Sequence, residues 1–202
     1  MSAVRRLNTL HKTSVQLVHG FAVASYVFRP LLRRLQRDSV EATLFRYPSV
    51  GLRLDDIVDR LSSNLREQRP DGIVAHSLGC VATWLAVHNT GWSGPLVLLA
   101  PPLTALPATR LIPGCMRWPF APLLDHRERM TAPGFRLPML TGCAIKTIAG
   151  RFDFSVPASC TRHPNVEEAS VTLHTHNSML FSASVARACS EWLVRANKSG
   201  EP

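Results

Sequence analysis

A short apolar run, Gly72-Ile73-Val74, leads into Ala75-His76-Ser77-Leu78-Gly79 and then into Cys80-Val81-Ala82-Thr83-Trp84-Leu85-Ala86, a stretch with no helix breaker. A strand that turns this abruptly into a helix brings the two elements almost into contact. Small side chains are then required two positions before and two after the apex, and Ala75 and Gly79 occupy those positions. The order predicts a strand–helix unit of a parallel sheet with the Ser77 hydroxyl raised above the end of the sheet. A serine at such a turn also serves as an ordinary helix N-cap, so its role depends on partners elsewhere in the chain.

Two later segments carry such partners. Ile145-Lys146-Thr147-Ile148 reads as a strand, followed by a glycine turn at Gly150 and by Asp153 just beyond the strand end. Ser170-Val171-Thr172-Leu173-His174-Thr175-His176 reads as a strand ending in histidine, followed by a loop and a helix. A hydroxyl becomes a good nucleophile only when a base takes its proton, and an imidazole base needs a group to orient it. His174 and His176 are two apart, so on a strand both would face one way; His176, nearer the strand end, is the preferred base. Glu167 and Glu168, in a stretch that reads as loop, and Asp125, in a proline-rich segment, compete with Asp153 for the acid. A His174/His176 metal pair is the rival reading, but no nearby cysteine or carboxylate completes it.

Four pieces in this order, His19-Gly20, Ala75-to-Gly79, Gly150-x-x-Asp153-x-x-Val156-Pro157 and His176-Asn177-Ser178-Met179-Leu180, resemble a short α/β-hydrolase of the lipase/esterase kind. The resemblance spans about Ser14 to Leu193. The usual elbow is G-x-S-x-G; here Ala75 stands in the first glycine position. The resemblance implies Ser77 as nucleophile, His176 as base and Asp153 as the acid that holds the imidazole. It implies an oxyanion hole of two backbone N–H groups, those of Phe21 and Leu78. His76 would pack behind the nucleophile, and His19 would be structural. The implied activity is cleavage of carboxylic esters or thioesters through an acyl-enzyme, with no metal, flavin or nicotinamide. Acyltransferase, peptidase and lyase chemistry share such a triad, and a non-catalytic binding protein of the same fold is the alternative of a different class. Serine at the elbow points away from dehalogenases and epoxide hydrolases, which place aspartate there.

Apolar strands alternate with amphipathic helices along the chain, which predicts an α/β three-layer sandwich around a mostly parallel sheet of about six strands, a minimal form of the fold. The strand candidates are Val15–Val18, Ala42–Phe45, Gly72–Ala75, Leu96–Leu99, Ala144–Ile148 and Val171–Leu173. Leu54, Ile57, Val58, Leu61 and Leu65 recur at helical spacing, as do Val185, Cys189, Trp192 and Leu193 behind a candidate N-cap at Ser182. The 202 residues fit one domain, 1–202. Residues 101–140 read as an irregular, proline-rich insert near the site, where larger relatives carry a lid. Its Trp118 and Phe120, with Met179 after the base, are candidate substrate contacts.

The formal net charge of +9 permits weak attraction to an anionic surface. The arginines form no block with interleaved aromatics, however, so no nucleic-acid partner is expected. A small-molecule ester or thioester is the expected partner. The five cysteines are scattered without a Cys-x-x-Cys pair, which argues against a disulfide framework; Cys80, Cys143 and Cys189 read as core. Met1–Lys12 carries charges without a hydrophobic stretch, so it does not read as a signal peptide, and a cytoplasmic location is expected.

Overall fold

The computed structural model describes residues 13–23, 25–37 and 40–199. The N-terminal segment read above as lacking a signal lies outside them. Six strands, β1 (Thr13–Val18), β2 (Val40–Phe45), β3 (Gly72–His76), β4 (Gly94–Leu99), β5 (Cys143–Gly150) and β6 (Glu168–Thr172), form one sheet in the order β2-β1-β3-β4-β5-β6. Every pairing is parallel. Among the described residues no helix is long and apolar enough to cross a membrane.

The helices are α1 (Arg29–Arg37), α2 (Leu54–Gln68), α3 (Leu78–Thr90), α4 (Ala121–Thr131) and α5 (Ala183–Ser199). Strand side chains alternate between faces, and the alternation sorts the interior into two cores. Val18, Ile73, Ala75, Leu96, Leu98 and Ile145 pack with the apolar stripes of α2 and α3. Val15, Leu17, Val74, Val97, Leu99 and Ile148 pack on the other face with Leu31 and Leu35 of α1 and with Val185, Cys189, Trp192 and Leu193 of α5. A sheet covered on both faces needs apolar residues at consecutive positions, which is why β3 and β4 read as unbroken hydrophobic runs. Cys80, Cys143 and Cys189 are buried free thiols, as expected.

β1 connects through α1 to β2 on one side, while β3 connects through α3 to β4 on the other. The connections therefore diverge between the C-terminal ends of β1 and β3, and a crevice opens at that switch point. Both His19-Gly20 and Ser77 lie there.

Two sequence expectations need correction. The last strand begins at Glu168 and ends at Thr172, so His174 and His176 stand in the loop beyond it rather than on a strand face. The reason is register: Lys146 pairs with Glu168 and Gly150 with Thr172, and β5 runs two residues further than its apolar stretch suggested. Residues 101–140 are not irregular throughout, since they contain α4, with Pro122 in its first turn where a missing N–H costs nothing. α4 is clamped to the start of α2. Asp125 accepts hydrogen bonds from the Leu54 N–H at 3.0 Å and the Arg53 guanidinium at 3.0 Å, and Arg129 pairs with Asp55.

Trp84 of α3 is fully buried, and its indole N–H donates to the Pro138 carbonyl at 2.8 Å, tying α3 to the strap that leads into β5. Trp84→Ala is expected to lower the unfolding free energy by about 3–5 kcal/mol, the usual cost of emptying a buried aromatic site, as read by urea denaturation.

Candidate active site

Ser77 sits between β3 and α3 with φ 54° and ψ −132°, a backbone conformation that side-chain-bearing residues rarely adopt. Its N–H donates to the Leu99 carbonyl at 2.9 Å and its carbonyl accepts from Cys80 N–H at 2.9 Å, so the turn is held from both sides. Its hydroxyl makes no capping bond to α3, which removes the ordinary N-cap role. The oxygen instead lies 2.9 Å from Nε2 of His176.

The tightness of the turn explains its small residues. A Cβ on Gly79 would lie 2.3 Å from the His19 carbonyl oxygen, and one on Gly20 would lie 2.7 Å from Cβ of Ser77. The end of β1 and the elbow are therefore in backbone contact. The N–H of Leu78, in the first turn of α3, has no acceptor within its own helix. Phe21 follows Gly20 on the loop that runs against Ser77.

His176 Nδ1 lies 2.7 Å from Oδ2 of Asp153. The carboxylate's other oxygen accepts the backbone N–H groups of Ser155 at 2.9 Å and Val156 at 2.8 Å. The Asp153 side chain is fully buried, whereas the His176 ring keeps an exposed edge. Burial alone would push the Asp153 carboxyl up; the hydrogen bond to His176 and those from Val156 and Ser155 outweigh it, and the group is held below its ordinary value. Gly150 is needed where the base loop crosses, since a Cβ there would lie 2.4 Å from the His174 carbonyl oxygen.

The three residues picked from sequence are thus brought into one hydrogen-bonded chain, and three of their competitors, His174, Glu168 and Asp125, are engaged elsewhere. His174 Nδ1 faces Ser178 Oγ at 3.5 Å. Glu168, on β6 rather than in a loop, pairs with Lys146 at 2.5 Å and Arg195 at 2.7 Å. Asp125 serves the start of α2. Of the proposed substrate contacts, Phe120 packs on Phe21 with ring centroids 5.3 Å apart, and the exposed Trp118 indole lies over Gly51 of the β2–α2 loop. Met179 is a correction: it is fully buried in the core shared with α1 and α5, so it presents no surface to a substrate.

Two further residues support the site. Tyr47 stacks on His19 with ring centroids 4.2 Å apart, and its hydroxyl donates to the His19 carbonyl. No short-range pattern links positions so far apart in sequence. His76 was read as packing behind the nucleophile, and the structure adds a bond. Its Nε2 lies 3.0 Å from the His176 carbonyl, so Nε2 carries the proton and donates, joining elbow to base loop. Nδ1 of His76 is buried without a partner. Desolvation first, and then the neighbouring His176 ring, depress His76 to about 3.

A six-stranded parallel sheet with an Oγ–imidazole–carboxylate chain at its C-terminal edge defines a protein of the α/β-hydrolase class. A sequence profile of the alpha/beta hydrolase family matches residues 17–193, and the chain belongs to that family. No curated protein matches the sequence. Solved structures share the fold. A hydrolase of the alpha/beta superfamily from Xanthomonas campestris pv. campestris superposes with a TM-score of 0.65 at 15% identity, covering 91% of this chain and 99% of that one. A thioesterase of the prodiginine biosynthetic pathway from Streptomyces coelicolor gives 0.65 at 13% identity over 91% and 87%. An esterase from Thermogutta terrifontis gives 0.65 at 15% identity over 90% and 89%.

The neutrality of His76 has a measurable cost. Between pH 3 and 6.5 an unfolded chain binds a proton at this position and the folded one does not, so stability must rise with pH across that window. His76→Gln, which keeps a donor, is expected to flatten the dependence of unfolding free energy on pH near pH 5 by about 1.4 kcal/mol per pH unit, the full effect of one proton. Urea titrations at several pH values measure it.

Proposed function

We propose that the protein is a serine hydrolase that cleaves carboxylic esters or thioesters through an acyl-enzyme. The observation that carries this reading is the continuous chain Ser77 Oγ–His176 Nε2 at 2.9 Å and His176 Nδ1–Asp153 Oδ2 at 2.7 Å. Ser77 attacks the carbonyl carbon as neutral His176 takes the hydroxyl proton. Asp153, buried and already bonded to two backbone N–H groups, stabilises the imidazolium that forms. The N–H groups of Phe21 and Leu78 receive the oxyanion; main-chain donors suit this because they are oriented before charge develops. The imidazolium returns its proton to the leaving alkoxide or thiolate. Water, deprotonated by the same imidazole, then attacks the acyl carbon and releases Ser77.

Membership of the alpha/beta hydrolase family supports hydrolysis, and an esterase and a thioesterase are among the structural neighbours. Phe120 and Trp118 flank the substrate.

A fluorophosphonate probe is expected to label Ser77 alone, with labelling abolished in Ser77→Ala; labelling elsewhere, or none in a folded sample, refutes the reading. His176→Ala is expected to lower p-nitrophenyl ester turnover by about a thousandfold or more, the scale of losing a triad member. His174→Ala should lose far less. Because only a neutral imidazole accepts the Ser77 proton, kcat/KM should fall on the acid side; a flat profile with chemistry rate-limiting removes histidine as the base.

A further inference from the structure

We propose that the C-terminal edge of the sheet, the rim around the site, docks on an anionic lipid surface. In a parallel sheet the loops that leave the strand ends share one edge, and here those loops carry most of the exposed large apolar side chains among the described residues. Phe154 is 91% exposed, Leu111 84%, Trp118 74% and Leu173 74%, and Tyr26 and Phe152 are also exposed. They come from the loops after β1, β4, β5 and β6. Leaving several large apolar tips in water is unfavourable, and a concentration of them on one edge marks an interaction surface.

The loops of this edge carry an excess of cations. Arg110 and Arg151 are exposed in the same loops, and Arg46 in the loop after β2. Residues 19–28, 46–53, 100–120 and 173–182 contain no aspartate or glutamate, and between 151 and 166 there is only Asp153, which is buried and bonded to His176. The carboxylates that begin α2 or lie on α4 are already engaged, Asp55 by Arg129, Asp125 by Arg53, Glu128 by Arg117 and Asp56 by the Arg53 N–H, and others lie on the opposite edge, as with Asp71, Glu167 and Glu168. Protruding apolar tips set among cations match an anionic bilayer, whose surface potential attracts arginine within a Debye length and whose interior accepts the tips. Tips from four separate loops, rather than one shaped groove, suit a fluid planar partner better than a folded one, which needs a complementary contour. The surface does not depend on the hydrolase reading, since binding is measured without turnover.

The test is co-sedimentation of the full chain with vesicles of phosphatidylcholine alone and of phosphatidylcholine mixed with phosphatidylglycerol, at physiological salt and at high salt. Binding is expected only to the mixed vesicles and should weaken as salt rises. Arg46→Gln/Arg110→Gln should lower the partition coefficient by about thirtyfold, from the contribution of each cation at such a surface. Phe154→Ser/Leu111→Ser, with charge unchanged, should also release the protein. Arg37→Gln/Arg66→Gln, in the last turns of α1 and α2 and directed to the other edge, should bind as before. Circular dichroism and Tm confirm that each variant is folded. Equal binding to uncharged vesicles, absence of binding to either, retention by the rim variants, or an equal loss in Arg37→Gln/Arg66→Gln overturns the proposal; an acidic protein captured without vesicle binding does so as well.

Discussion

Everything at the C-terminal edge depends on one close backbone contact, that of the elbow against the end of β1. The His19 carbonyl would lie 2.3 Å from a Cβ at Gly79, and Gly20 is as tightly placed against Ser77. This approach sets the distance between the Phe21 loop and the hydroxyl, and it is possible only because two facing positions lack side chains. The Tyr47 hydroxyl secures the same carbonyl from the other side. The strained Ser77 backbone persists because Leu99 and the first turn of α3 hold it on both flanks.

The site divides its ionisable groups by environment. Asp153 is buried yet ionised, because three hydrogen bonds oppose the desolvation that would otherwise neutralise it. His76 is buried and neutral, for the opposite reason: its contacts are a carbonyl and another imidazole, and neither stabilises a cation enough to offset burial. His176 lies between them and keeps an exposed edge. A single charge is therefore fixed on one side of the base, while the other side is braced by a neutral donor. His76 also binds the His176 loop to the elbow by a direct hydrogen bond, so Ser77 and His176 are tied by backbone as well as by side chains.

Parts of this were legible in the residues. The six strands appeared as apolar runs because a sheet covered on both faces demands them; α2 and α5 appeared through apolar residues at helical spacing because each buries one stripe, whereas α3, buried at every position from Leu78 to Val87, appeared as an unbroken run. The elbow was legible because its constraint is local: within five residues, the positions two before and two after the apex must be small. Ser182 as a cap for α5 was legible for the same reason, and Val185 N–H does donate to its hydroxyl at 3.3 Å. The last strand was misplaced because β6 is an edge strand: its exposed Val171, and Leu173 just beyond its end, imitate core residues. The helix α4 was hidden by prolines that are harmless in a first turn, and Met179 was placed at the substrate although it is packed beneath the base loop.

The sequence by itself determined the fold class, the chain order serine, carboxylate, histidine and the position of the elbow, because these rest on periodicity and on local sterics. Only the tertiary structure decided which histidine and which carboxylate join Ser77. His174 and His176, or Asp153, Glu168 and Asp125, differ little as letters; what separates them is where strand register and loop crossing put each side chain. The same holds for the support given by Tyr47 and His76 and for the cationic loops of the rim. Each is a sum over segments distant in the chain, brought together at one edge because all six strands run in the same direction.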